Sequence, residues 1–272
     1  MPITARKAVR ILLPLLLCGL PWTPAGLAAA PSGPYPDKPV RFIIPYPAGG
    51  ATDVLSRILG ERLAAQLGQP VVADNRGGAA GRIGLELLAK SPPDGYTISL
   101  PSSGVAIRVG ATNHITAELF QLVAGVRMSH VPYKSSAGGL TDVISGQIQM
   151  MMIGPPAAAP HVQAGRLRAL AVVYNKRFSG MPEVPTTAEA GLAGVDAPTW
   201  YAIVVPAGTP KAVVTRLNRE FVTMLNTAEM KRQMLLLGAE PRPQTPEESS
   251  EFMRREVDKW AKVIKAANVK PE

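Results

Sequence analysis

The chain has 272 residues, 46% of them hydrophobic, a formal net charge of +9 and one cysteine. That length accommodates one large or two small domains. A lone cysteine excludes a disulfide framework and thiolate metal sites, and no dense Lys/Arg run or basic patch with interleaved aromatics makes a case for nucleic acid.

The first 30 residues read as a signal peptide. Arg6, Lys7 and Arg10 form a positive n-region, Ile11 to Leu20 is apolar but too short to span a bilayer, and Ala28-Ala29-Ala30 offers a cleavage site. Cys18 falls inside this segment, and Leu17 before it is too large for a lipidation signal. Removing the three basic residues takes the charge from +9 to +6, a mild positive field that suits anionic ligands. No other segment is long and apolar enough to cross a membrane. The expected product is soluble, exported and monomeric, with no cofactor and no metal.

Pro31 to Lys38 is a polar, proline-rich lead-in. Val40 to Ile44 is a short β-branched, apolar run and reads as a buried strand. Pro45 and Pro47 stop it, and Ala48-Gly49-Gly50-Ala51 follows with almost no side chain. Thr52 or Asp53 is placed to cap a helix from Val54 to Leu67, with Leu55, Ile58, Leu59, Leu63 and Leu67 on its apolar face. Strand, small-residue loop and helix start together make an anion site. The first helical N–H groups lack internal partners, the helix dipole favours negative charge there, and glycine permits close approach. A plain βα turn is the alternative. The loop has neither the P-loop nor the dinucleotide-binding pattern.

Pro70 to Ala73 is the second expected strand. A glycine-rich loop, 74–81, opens onto a helix from Arg82 to Lys90, and Tyr96 to Leu100 is the third strand, ending at Ser102 and Ser103. Alternating strands and helices imply a parallel sheet with right-handed crossovers, whose ligands bind beyond the carboxyl ends of the strands. The 48–51 loop and the two serines share that edge. Thr112 or Asn113 caps a helix from Ile115 to Ala124, a second anion-friendly helix start. Further strands are expected at 128–133, 147–153, 168–173 and 199–205. Helices are expected at 140–145 and 155–164, after Thr186, from Thr209-Pro210 to about Leu225, over 227–237, and from Thr245 to about Ala267. Met150-Met151-Met152 reads as packing. His114, His130 and His161 show no acid partner and no metal-ligand spacing.

The order of motifs resembles the Bug receptors, the substrate-binding proteins of tripartite tricarboxylate transporters in bacterial periplasms. The stretches that carry it are Tyr35-Pro36-Asp37-Lys38-Pro39-Val40, the loop from Pro45 to Asp53, Asn75-Arg76 with its glycines, and Pro92-Pro93-Asp94-Gly95-Tyr96-Thr97. Further along come Thr112-Asn113-His114 with Glu118-Leu119-Phe120, His130-Val131-Pro132-Tyr133-Lys134, the run from Gly165 to Val172, Val184-Pro185-Thr186, and Pro206 to Pro210. The resemblance implies an α/β fold like the type II periplasmic binding proteins, with two α/β domains around a cleft. The first would comprise 31–110 plus 199–272, and the second, shortened, 111–198. It implies a small carboxylate as ligand and membrane transporter subunits as partners. The ligand would be held by main-chain N–H groups, hydroxyls and waters. Carried onto this chain, the first-domain contacts are Tyr46, Ala48, Gly49, Gly50, Thr52, Ser102 and Ser103, and the second-domain contacts are Thr112, Asn113 and His114.

Two departures stand out. Family members carry a long block between the Ser-Ser strand end and the Thr-Asn-His helix start, where this chain has only Gly104 to Ala111, too few for a parallel crossover. Where the family has an acidic residue after the strand from Gln147, this chain has Ile153-Gly154, which disfavours a cationic amino group on the ligand. The leading expectation is a carboxylate receptor without enzymatic activity. The rivals are a binding-defective remnant or sensor of the same fold and, more remotely, an exported α/β hydrolase, for which the chain offers no G-x-S-x-G elbow.

Overall fold

Val40, Phe42, Ile43 and Ile44 have no solvent exposure, and their strand β1 (Val40–Ile44) is the centre of the molecule. The computed structural model describes residues 35–104, 112–133 and 136–266. The expected signal peptide over the first 30 residues, most of the short connection from Gly104 to Ala111, and the chain after Ala266 lie outside the described residues. Strand β1 pairs in parallel with β2 (Val71–Asn75) on one side and β3 (Thr97–Ser99) on the other, giving the order β2-β1-β3. A strand flanked on both sides reads as a continuous apolar run because both its faces are covered.

Helix α1 (Ala51–Leu67) connects β1 to β2, and α2 (Arg82–Ala89) connects β2 to β3 after a 3-10 turn at Ala79–Gly81. Leu55, Leu59, Leu63 and Leu67 of α1 are buried against the sheet. Gly68 ends the helix in the left-handed conformation at φ 66°. Gly84 of α2 lies against the end of β1. A Cβ built there would come within 2.8 Å of the Pro45 Cβ and 2.9 Å of the Arg76 carbonyl oxygen, both on rigid backbone elements. Gly84→Ala should therefore destabilise the protein by about 1–3 kcal/mol in urea denaturation.

Downstream come α3 (Thr112–Ala124), α4 (Ser136–Ile144), α5 (Pro155–Gln163), α6 (Lys211–Leu225), α7 (Ala228–Leu236) and α8 (Pro246–Ala266). Val213, Leu217, Phe221 and Met224 of α6, with Met230 of α7, complete the core over β1 and α1. A second cluster gathers Ile115 and Leu119 of α3, Ala197, and Trp260 and Val263 of α8. Thr227 caps α7, its hydroxyl accepting from the Met230 N–H at 3.2 Å. Thr245 and Glu248 close a reciprocal capping box at the start of α8.

Several expected elements form differently. The segments 128–133, 147–153 and 168–173 join no β-ladder among the described residues. Only an isolated bridge, Val172 to Thr186, replaces one. The expected strand 199–205 is reduced to single antiparallel bridges, Ser102–Tyr201 and Ser99–Val204, beside β3. β-branched composition favours extension, but a ladder needs a neighbour, which composition does not supply. Thr186 forms a hydroxyl turn with Glu189 instead of starting a helix. Helix α6 begins at Lys211 with Pro210 as its N-cap residue, while the Thr209 hydroxyl donates to the Pro206 carbonyl at 2.8 Å. Helix α1 begins at Ala51 with Gly50 as N-cap, so Thr52 and Asp53 sit in its first turn and do not precede it.

Candidate functional site

The loop from Pro45 to Gly50 crosses the carboxyl edge of the sheet, and its shape is set by Asp53. Gly49 adopts φ 86°, a conformation that favours glycine, and its N–H donates to Asp53 Oδ2 at 2.9 Å. The other carboxylate oxygen accepts from Arg57 Nε at 3.0 Å and Asn75 Nδ2 at 2.9 Å. These bonds, Arg57's foremost, hold the buried Asp53 carboxyl down at about 2. Asn75, at the end of β2, also donates to the Tyr46 carbonyl at 3.2 Å and accepts from Arg57 Nη2 at 3.0 Å. The second glycine loop abuts the first: a Cβ on Gly77 would lie 3.0 Å from the Pro47 nitrogen.

This network consumes the amide of Gly49, which the sequence reading offered to a ligand. The amides of Gly50, Ala51 and Thr52 donate no hydrogen bond among the described residues; Ala48 to Ala51 are exposed and Thr52 is buried beneath them. They are the open N–H groups of the helix start.

Hydroxyl groups gather at the same edge. The Tyr46 phenol lies 2.7 Å from Ser102 Oγ and accepts from the Ser102 N–H at 3.3 Å. Tyr201 bridges Ser102 through its backbone, and its phenol stands beside the Thr52 side chain. Burial pushes the Tyr201 phenol up, with Tyr46 adding to the effect and Thr52 opposing it. Tyr46 and Ser102 thus share one hydrogen-bonded cluster, bridged to the Tyr201 backbone and with Thr52 next to it. Ser103 differs: its side chain is fully buried, its Oγ has no hydrogen-bond partner among the described residues, and its N–H donates to the Trp200 carbonyl at 2.9 Å.

Arginines stand close by, yet each is committed. Arg57 pairs with Asp53, and both Arg41 and Arg76 pair with Asp74. Burial works to raise Asp74, but the bonds from Arg41 and Arg76 outweigh it and lower the carboxyl below its usual range.

Thr112 is the first residue of α3, and Asn113 beside it is exposed. The His114 ring stacks on His130 with centroids 4.0 Å apart, and its Nε2 lies 3.4 Å from Glu118 Oε1. No hydrogen bond between described residues joins Asn113 or His114 to the Tyr46 cluster. Nor do the described residues place three His, Cys, Asp or Glu side chains where they could hold a metal ion.

Sequence reasoning missed Tyr201, read only as part of a strand. It also took Asp53 for a helix cap when the residue is the organiser of the loop. The spacing of Asp53 and Arg57, one helical turn apart, carried a signal for the second point.

A family model described as the tripartite tricarboxylate transporter family receptor matches residues 55–109 and 103–269. Protein BugT of Bordetella pertussis is 31% identical over 318 aligned positions, covering 94% of this chain and 98% of BugT. That alignment is longer than the chain's 272 residues, so it passes through positions where this chain has none. Among solved structures, R. palustris Rpa4515 with adipate superposes with a TM-score of 0.74 at 28% identity, covering 88% of this chain and 100% of that one. The periplasmic binding protein BugD gives 0.70 at 26% identity with the same coverage. The fold, the motif order and the extent of these matches agree: the chain belongs to the receptor family of the tripartite tricarboxylate transporters, which are solute-binding receptors and not enzymes.

Proposed function

We propose that this chain is a periplasmic receptor that captures a small di- or tricarboxylate and presents it to the membrane subunits of a tripartite transporter. The observation that carries the reading is the open set of amides at Gly50, Ala51 and Thr52, flanked by the hydroxyls of Tyr46 and Ser102. A carboxylate there accepts N–H bonds at the positive end of α1, beside an Asp53 whose charge Arg57 already offsets. Ala48 and Gly49 shape the loop in this reading, and Thr112, Asn113 and His114 supply the far side of the cleft from domain 2 (111–198), opposite domain 1 (31–110 plus 199–272). The signal segment accounts for export. Adipate, found with a solved structure of 28% identity, supports a dicarboxylate as the ligand.

The test is a thermal-shift panel on the mature chain with adipate, malate, citrate and glutamate. An acid present at about 100 times its dissociation constant should stabilise the fold by about 2.7 kcal/mol. Glutamate should trail the plain dicarboxylates, because Ile153-Gly154 offers its amino group no carboxylate. Saturable binding of glutamate in preference to the plain acids would overturn the assignment.

A second reading, a binding-defective remnant or a sensor of the same fold, is favoured by one observation. The segments 128–133 and 147–153 stay outside any ladder among the described residues. A folded protein that shifts with no acid in the panel would favour it.

A further inference from the structure

Trp200 and Trp260 are the tryptophans that follow the leader, the third being Trp22 within it. Both indole N–H groups donate to one oxygen, Glu256 Oε2, each at 3.1 Å. Glu256 is 6% exposed, and its other oxygen is ion-paired with Lys259. Lys259 also donates to the Asp196 carbonyl at 3.2 Å and lies over the Trp260 ring at 5.1 Å. Phe252 meets the edge of Trp200 at 5.7 Å and 76°. Helix α8 therefore grips the irregular segment 196–200 through an ion-supported carboxylate, an ammonium and a ring.

That segment leads straight into the candidate site. The Trp200 carbonyl accepts from Ser103 N–H, and Tyr201 bridges Ser102, whose N–H and hydroxyl meet the Tyr46 phenol. Four main-chain bonds and two bridges align 200–204 with 99–103 in one antiparallel register, but Pro101, which has no N–H, interrupts the ladder and leaves the Ser102–Tyr201 end with two of those bonds, Ser103 N–H to the Trp200 carbonyl and Ala202 N–H to the Pro101 carbonyl. Directional bonds to a buried carboxylate reinforce that short end, since leaving an indole N–H or that charge unpaired in the interior is costly. The same α8 surface seats α3: Ile115 and Leu119 pack in one cluster with Trp260 and Val263.

We propose that Glu256 is a positioning residue, which by holding Trp200 fixes the register of 200–201 against 102–103 and thereby places the hydroxyls of Tyr46, Ser102 and Tyr201. Only its consequence for ligand affinity rests on the carboxylate reading above.

The test compares wild type with Trp200→Phe, which keeps an aromatic ring facing Phe252 and removes the N–H together with the bulk of the fused five-membered ring, so that Glu256→Gln serves as the control for the bond itself. In hydrogen exchange without ligand, amides in 99–104 should exchange about tenfold faster while β1 keeps its protection. Glu256→Ala should behave alike, with Glu256→Gln, which retains an oxygen acceptor, recovering most of the protection. Glu251→Ala, which breaks an exposed pair with Arg255 on the same helix, should change nothing. Calorimetric titration with adipate and malate should show affinity falling about tenfold in Trp200→Phe. Unchanged exchange in 99–104, or an equal rise in β1, would overturn the proposal by reducing Glu256 to a general contributor to stability. If wild type binds neither acid, the carboxylate reading fails, and the exchange data still decide the role of Glu256.

Discussion

Replacing Asp53 with asparagine should lower stability by about 2 kcal/mol at neutral pH and flatten the acid limb of the stability curve. The carboxylate is 4% exposed and accepts from Gly49, Arg57 and Asn75. Asparagine keeps one acceptor oxygen where aspartate has two; with that oxygen held toward Arg57 and Asn75, its NH2 group faces the Gly49 N–H, which loses its acceptor. The sign of the pH effect follows from the depressed carboxyl, near 2 in the fold against an ordinary 3.8. This contribution is complete above the ordinary value and is lost as pH falls from about 4 through 2. Urea denaturation of wild type and Asp53→Asn at pH 7, 4 and 2.5 measures it: the gap should be widest at pH 7 and narrow toward pH 2.5. A constant gap would show that the carboxyl titrates alike in folded and unfolded chains. Because Gly49 would lose the acceptor that orders its loop, carboxylate affinity should fall in the same variant.

Phe42→Ala should cost about 3–5 kcal/mol, a large share of the roughly 5–15 kcal/mol that stabilises a domain. Phe42 has no exposure, lies midway along the central strand, and packs beneath Gly60 of α1, where an added Cβ would sit 3.4 Å from the ring. Truncation leaves a cavity between strand and helix that neither can close, because β1 is held by a parallel neighbour on each side. Calorimetry should show the melting temperature falling by about 10 °C. Phe42→Leu, closer in volume, should recover most of the loss. A drop of only a degree or two would mean that β1 is not the packing centre.

Legibility along the chain followed the range of the interactions involved. Strand β1 and the helices α1, α2, α7 and α8 were readable because apolar spacing, proline stops and caps act within one element. The start of α8 was read at Thr245, and the structure shows why: Thr245 and Glu248, four residues in all, cap it reciprocally. Segments 128–133, 147–153 and 168–173 carry equally strand-like residues, and none joins a ladder among the described residues. Their pairing depended on neighbours that pattern does not reveal, next to a connection too short for a crossover. At the site, Tyr46 and Ser102 were named from their motifs, yet the bond between them spans 56 residues.

What the sequence determined alone is the succession of βα units around an apolar strand and a bare loop opening a helix, since strand composition, glycine freedom and helix periodicity are local properties. Tertiary structure decided which main-chain groups remain open. It gave the Gly49 amide to Asp53, brought Tyr201 to Thr52, and set two indoles on Glu256. The reason is physical: a hydrogen bond between residues distant in the chain exists only once the fold has met its closure entropy, and the fold therefore chooses which donors are consumed and which are left for a ligand.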